Sequence, residues 1–133
     1  MSIIVVVSIK FKSIQKSGED YLEAIYNLLL TNNQVRSIDI ANILGVTKPS
    51  TSRALNILAD RGYVIKEKYG AVSLTQKGIE HAKEIQKKHK AVRMLLVDVL
   101  GIDVAVAEID ACKIEHCLSE ESAKKLYEFL KIE

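Results

Sequence analysis

Tryptophan is missing from this chain, proline occurs once, and cysteine and phenylalanine occur twice each in 133 residues. Each scarcity excludes something. With one proline and six glycines, helices can run with little interruption, so the chain reads as mainly α. Two cysteines do not make a disulfide framework. Cys112 and Cys117 would fall about 140° apart around one helix at 100° per residue, a poor placing for a mutual bridge. A reducing, cytoplasmic setting is therefore expected. The opening Ile3-Ile4-Val5-Val6-Val7 is far shorter than the roughly 20 residues that span a bilayer. It also lacks a basic leader and a small-residue cleavage site, so no signal peptide and no membrane partner are expected. Residues 1–16 are left as an N-terminal extension of unknown structure.

What is present is an uneven charge. From Gly101 onward eight acidic residues face four lysines, a net of −4, which leaves +6 on residues 1–100 of a chain whose total is +2. A basic front and an acidic back fit a DNA-binding half joined to a different module. The length allows one or two small domains.

Capping residues divide the chain. Ser17 with Glu19 and Asp20 after it reads as a helix start, and that helix, to about Leu30, would bury Leu22, Ile25, Tyr26 and Leu29. Asn32-Asn33 breaks it. Ser37 opens a short second helix, Ile38 to Leu44, which Gly45 ends. Thr47 caps a third, with Pro49 in its first turn, where a missing N–H costs nothing. It carries Ala54, Leu55 and Leu58 inward and ends at Asp60-Arg61-Gly62. Tyr63–Glu67 and Ala71–Leu74 read as two strands around Tyr69-Gly70. Thr75 caps a long helix to about Leu100, striped by Ala82, Ile85, His89, Val92 and Leu96. Asp103 caps a helix to about Cys117, and Ser119 a last one to Leu130.

Ala41, the Gly45 turn and the amphipathic third helix are the small residue, tight turn and packing spine of a helix-turn-helix, and the hairpin after it makes a winged version. The third helix would enter the major groove by its N-terminal end. Thr47, Lys48, Pro49, Ser50, Thr51, Ser52 and Arg53 sit there. Short hydroxyls and backbone N–H groups suit phosphates, and Arg53 has the reach for guanine O6 and N7. Lys66 and Lys68 on the wing would add phosphate contacts. Ser/Thr clustering is also good capping, and a helical hairpin that only packs on protein is the plainer alternative.

A second constellation follows. Cys112, Glu115 and His116 stand at i, i+3 and i+4 and share a face of one helix; thiol, carboxylate and imidazole are transition-metal ligands. His89 interrupts an otherwise apolar stripe, where a lone histidine is more often a hydrogen-bonded core residue. Comparable chain lengths on either side of Gly101 would let it meet the triplet across an antiparallel turn. Asp20 and Glu23 are i and i+3 on the first helix, although Asp20 at N3 equally serves the helix dipole.

Glu19-Asp20-Tyr21-Leu22-Glu23-Ala24-Ile25-Tyr26, the winged helix, Lys88-His89-Lys90 and Ala111-Cys112-Lys113-Ile114-Glu115-His116 together resemble the metal-dependent repressors of the diphtheria toxin repressor and manganese transport regulator type, over about residues 17–131. The resemblance implies a winged helix-turn-helix domain (17–75) and a helical metal-binding and dimerisation domain (76–133). It implies a homodimer that binds double-stranded palindromic operators when loaded with Mn²⁺ or Fe²⁺ (Zn²⁺, Co²⁺ or Cd²⁺ substituting in vitro), and so represses metal homeostasis genes. The family's metal positions fall on Asp20, Glu23, His89, Cys112, Glu115 and His116. Asp20 resembles the manganese readers, where iron-type members have methionine. Cys112 resembles the iron type, where manganese readers have glutamate. Glu108 and Arg93 replace residues of the iron-type ancillary site, and no SH3-like third domain is expected.

The expectation is a mainly α regulator and not an enzyme, since no substrate-shaping element is evident and no small organic substrate is implied. A winged-helix regulator that binds an organic effector between its dimer helices, with the polar cluster as plain surface, is the rival reading.

Overall fold

The computed structural model describes residues 16–133; apart from Lys16, the N-terminal extension lies outside the described residues. The chain divides into two compact units, 1–82 and 83–133.

In the first unit, α1 (Lys16–Thr31) is followed by a two-residue strand β1 (Val35–Arg36), α2 (Ser37–Leu44) and α3 (Lys48–Asp60). Two further strands, β2 (Val64–Lys66) and β3 (Ala71–Leu74), flank a short 3₁₀ turn over Lys68–Gly70, and α4 (Gln76–Met94) begins after them. The sheet order is β1-β3-β2, antiparallel throughout, with Val35 opposite Val72 and Lys66 opposite Val72 on the other side. Leu22 and Ile25 are one turn apart on α1, so both point into the core. They meet Ile40 of α2, Leu55 and Leu58 of α3, and Val35, Val64 and Val72 of the sheet. Full burial of each such side chain is worth about 1.5–3 kcal/mol.

The caps that the residue types imply are made. Thr47 Oγ1 accepts from Ser50 N at 3.2 Å, with Pro49 in the first turn of α3. Thr75 Oγ1 accepts from Gly78 N at 3.0 Å. Gly45 ends α2 at φ 66°, a left-handed conformation that glycine adopts without a Cβ penalty. Two expected starts shift. Ser17 lies inside α1, which is already helical at Lys16, so it is not the cap and Asp20 is not at N3. Ser37 is the first residue of α2, and Asp39 closes that end by accepting from Arg36 N at 2.9 Å. Strand β1 carries too short a pattern to be read as a strand in advance.

In the second unit, α4 continues and passes into a π-helical turn (Leu95–Val99), closed by Leu100 N donating to Leu95 O at 3.0 Å. Then come α5 (Val104–Ile114) and α6 (Glu120–Leu130). Their caps are as expected: Asp103 accepts from Ala105 N and Ser119 from Ser122 N, both at 3.1 Å. Ile85 and Val92 are buried with Ala91, Ala107, Ala111 and Ala123, and small residues of this kind allow close backbone approach. Val104, Val106, Ile109 and Phe129 are half or more exposed, whereas Leu126 and Leu130 are partly covered. Helix α5 stops at Ile114, short of the expected Cys117. Among the described residues no helix is long and apolar enough to cross a membrane.

Candidate functional site

The first unit presents the start of α3. Lys48, Pro49, Ser52 and Arg53 are exposed there, and Ser50 is half-buried with its hydroxyl 2.9 Å from Thr47 Oγ1. Thr51 departs from expectation. It is fully buried, and its hydroxyl donates to Thr47 O at 3.0 Å, so it locks the first turn and has no face to offer DNA. The cause is spacing: a hydroxyl four residues after a helical carbonyl bonds back to it. On the wing, Lys66 Nζ donates to Asn56 Oδ1 at 2.6 Å, while Lys68 is exposed at the 3₁₀ turn.

Residues that the motif did not single out complete this surface. An open groove of about 510 Å³ runs between Lys48, Pro49 and Ser52 on one side and Arg36, Ser37, Tyr69 and Gly70 on the other. Tyr69 stands at the wing tip, 87% exposed, with φ 62°. Arg36 Nη1 donates to Tyr69 O at 2.9 Å, so the arginine anchors the wing tip. Only the Tyr69-Gly70 turn pattern could have pointed to this corner; nothing in the sequence pairs Arg36 with it.

Asp20 and Glu23 are half-buried, one turn apart on α1. Beside them, Glu19 Oε2 lies 2.7 Å from His81 Nε2, and the His81 ring meets Tyr63 edge-on at 5.4 Å. Neither Glu19 nor His81 was among the expected site residues.

The second unit gathers the other ligand candidates. His89 lies between two carboxylates: Nδ1 is 2.6 Å from Glu115 Oε2 and Nε2 is 2.8 Å from Glu108 Oε1. Glu115 Oε1 is in turn 3.4 Å from His116 Nε2. The Glu115 and His116 side chains are 1% and 2% exposed, so they occupy the interior. The direction follows from helical spacing: Glu115 stands four and eight residues after the buried Ala111 and Ala107, and its N–H still donates to Ala111 O at 3.0 Å. Cys112 is exposed, and one donor atom each from His89, Glu108 and Cys112 lie within 4.8 Å of one another.

A metal ion fits this donor set. Imidazole nitrogen, carboxylate oxygen and thiolate sulfur are all donors to divalent transition metals. One such atom from each of His89, Glu108 and Cys112 could hold a divalent cation between them. Donors around one ion stand roughly 3–4 Å apart at bond lengths near 2.0–2.3 Å, so side-chain adjustment suffices.

Two family models cover the chain in succession. The "iron dependent repressor, N-terminal DNA binding domain" matches residues 13–72, and the "iron dependent repressor, metal binding and dimerisation domain" matches 75–132. The chain belongs to the iron-dependent repressor family. That family is one of metal-responsive DNA-binding repressors, and both of its domains are present, as the motif resemblance implied. An uncharacterised HTH-type transcriptional regulator of Methanocaldococcus jannaschii is 40% identical over 86% of this chain and 93% of its own length. The transcriptional regulator MntR of Salmonella typhimurium is 34% identical over 78% of this chain. The solved structure of the manganese regulator SloR superposes with a TM-score of 0.75 at 28% identity, over 87% of this chain. The chain spans 66% of MntR and 54% of the SloR chain. The winged helix followed by a helical half is thus the architecture of the family.

Proposed function

We propose that this chain is a metal-responsive repressor that binds a palindromic operator as a homodimer and controls metal homeostasis genes. The observation that carries the proposal is His89 held between two carboxylates beside Cys112, in a chain whose other half presents an exposed helix start and a wing. The proposed division is a DNA-binding domain over 17–75 and a metal-binding and dimerisation domain over 76–133.

Lys48, Pro49, Ser52 and Arg53 would face DNA directly, with Thr47 and Ser50 shaping the turn and Lys66 and Lys68 meeting phosphates. On the family resemblance, Asp20, Glu23, His89, Cys112, Glu115 and His116 hold and organise the ion. When bound, a divalent ion would supply a cross-link among its donors, shifting the population only by its preference for the DNA-competent arrangement. Two symmetric recognition helices then need a separation near ~34 Å to meet successive major grooves. Hard carboxylates favour Mn²⁺, and the Cys112 thiolate raises affinity for Fe²⁺ and Zn²⁺; Mn²⁺ or Fe²⁺ is the proposed physiological ion.

Selection of duplexes from a random pool with Mn²⁺, with Fe²⁺ under reducing conditions, and with chelator tests this. The expected result is a two-fold symmetric sequence recovered only with metal. Equal recovery with chelator would overturn metal control.

A further inference from the structure

We infer that His81 is a positioning residue that couples α1 to the junction between α3 and the wing. The inference rests on the metal-responsive reading, in which α1 supplies Asp20 and Glu23. Its ground is one imidazole that meets two separate elements of the first unit. Nε2 lies 2.7 Å from Glu19 Oε2 in the first turn of α1, and the ring packs edge-on against Tyr63 with centroids 5.4 Å apart. The Glu19 side chain is 14% exposed and that of His81 32%, so water and salt screen this contact less than they would a surface pair.

Both ends of the contact are stiff. On α1, Glu19 precedes Asp20 and stands one turn before Glu23 on the same face. A helix moves as a unit, so any shift that carries Asp20 and Glu23 carries Glu19 with them. At the other end, the start of α4 grips the three residues that follow α3. Lys77 Nζ donates to Arg61 O at 2.9 Å and sits 4.3 Å over the Tyr63 ring. The Thr75 hydroxyl donates to Gly62 O at 2.6 Å, and Thr75 N donates to Tyr63 O at 3.1 Å. Arg61 caps the C-terminus of α3, and Tyr63 leads into β2. His81 stands one turn after Lys77 on α4, on the face that holds this junction. A displaced α1 must therefore either give up the Glu19 bond or draw His81 along the Tyr63 ring.

The test is a linkage measurement on the full chain, with Mn²⁺ and the two-fold symmetric duplex recovered by the selection above. Duplex affinity is measured with chelator and with saturating Mn²⁺, and Mn²⁺ affinity without DNA by calorimetry. His81→Phe keeps a ring against Tyr63 and loses the bond to Glu19; Glu19→Ala loses the same bond from the other side. Each should lower the Mn²⁺-induced gain in duplex affinity by about threefold or more, within the roughly 5–150-fold range of such couplings. Affinity with chelator and Mn²⁺ affinity without DNA should stay those of wild type. Glu19→Gln, whose amide oxygen still accepts from His81, should keep most of the gain, and the double variant should be no worse than either single one, as a shared link requires. A gain unchanged in both single variants overturns the coupling role. So does an equal loss of affinity with and without Mn²⁺, which assigns the pair to the fold alone. A loss of Mn²⁺ affinity with the full gain at saturation also overturns it, because the pair then supports the ion site only. Wild type with no Mn²⁺-dependent gain overturns the metal-responsive reading, and the inference with it.

Discussion

Gly78 sits in the first turn of α4, and an ideal Cβ placed on it would lie 2.1 Å from Tyr63 O and 3.3 Å from Leu74 Cδ2. Ordinary contact begins at 3.4 Å, so Gly78→Ala requires more than an ångström of movement. The carbonyl cannot easily give way, because Thr75 N donates to it at 3.1 Å and the Thr75 hydroxyl, donating to the adjacent Gly62 O at 2.6 Å, lies against it. Two effects of opposite sign compete. Helix propensity alone would make alanine more stable by about 0.8–1 kcal/mol. Overpacking against a fixed backbone costs about 1–3 kcal/mol or more, and loosening the pinned carbonyl risks a hydrogen bond worth about 1 kcal/mol. The clash should win, for a net loss of about 2 kcal/mol. With an m-value of about 1–3 kcal/mol per molar urea, the unfolding midpoint should fall by about 1 M, measured at one protein concentration because association shifts apparent stability. A midpoint that stays put or rises would show that α4 does not rest on the backbone that leads into β2.

Thr51→Val should cost about 1 kcal/mol of stability without changing base preference, whereas Arg53→Ala should weaken specific DNA binding by about 1–3 kcal/mol and relax it; binding to a panel of point-varied duplexes separates the two. Cys112→Glu should move metal preference toward Mn²⁺ and away from Zn²⁺ and Cd²⁺, read as DNA binding at equal free metal; an unchanged ranking would remove Cys112 from the ligand set. Val106→Asp, at a half-exposed site on α5, should shift sedimentation toward monomer while circular dichroism stays helical. Tyr127 donates to Glu84 Oε1 at 3.0 Å, and burial first, then that bond and the carboxylate's charge, raise its pKa. The folded state therefore keeps the phenol proton when the unfolded chain, near pKa ~10, has lost it. That contribution to stability is present below about pH 10 and declines above it. Tyr127→Phe should flatten the decline in alkaline urea titrations.

Much of the fold was legible because its punctuation is chemical. Thr47, Thr75, Asp103 and Ser119 each stand where a hydroxyl or carboxylate must meet a free backbone N–H, and Gly45 where the chain must turn left-handed. Legibility ended where a residue's partner comes from a distant part of the chain. Thr51 is a local exception: it belongs by type to a DNA-facing cluster, but it stands four residues before Leu55 and seven before Leu58 on the buried face of α3 and bonds back to Thr47 O. Glu115 continues the buried face of Ala107 and Ala111 in steps of four, but a carboxylate there gives no sign of its partner. Glu115 meets His89 across the unit, a pairing 26 residues apart. Glu108 was legible as a departure from the iron type, but its approach to His89 and Cys112 was not. Strand β1 needed β3 to exist at all.

Arg36 has a consequence for modular exchange. Its backbone N bonds to Asp39, its guanidinium holds the Tyr69 carbonyl, and its strand partner is Ala71. Ser37 adds a contact from its hydroxyl to Gly70 O at 3.4 Å. Recognition helix and wing are therefore not separate cassettes of equal portability. A chimaera that replaces residues 48–60 with another repressor's reading helix keeps every one of these bonds and should inherit new sequence preference on an intact frame. A chimaera that imports a foreign wing without the Arg36-Ser37 corner would leave its tip unmoored, and evolution within such a scaffold would be expected to change the wing and that corner together.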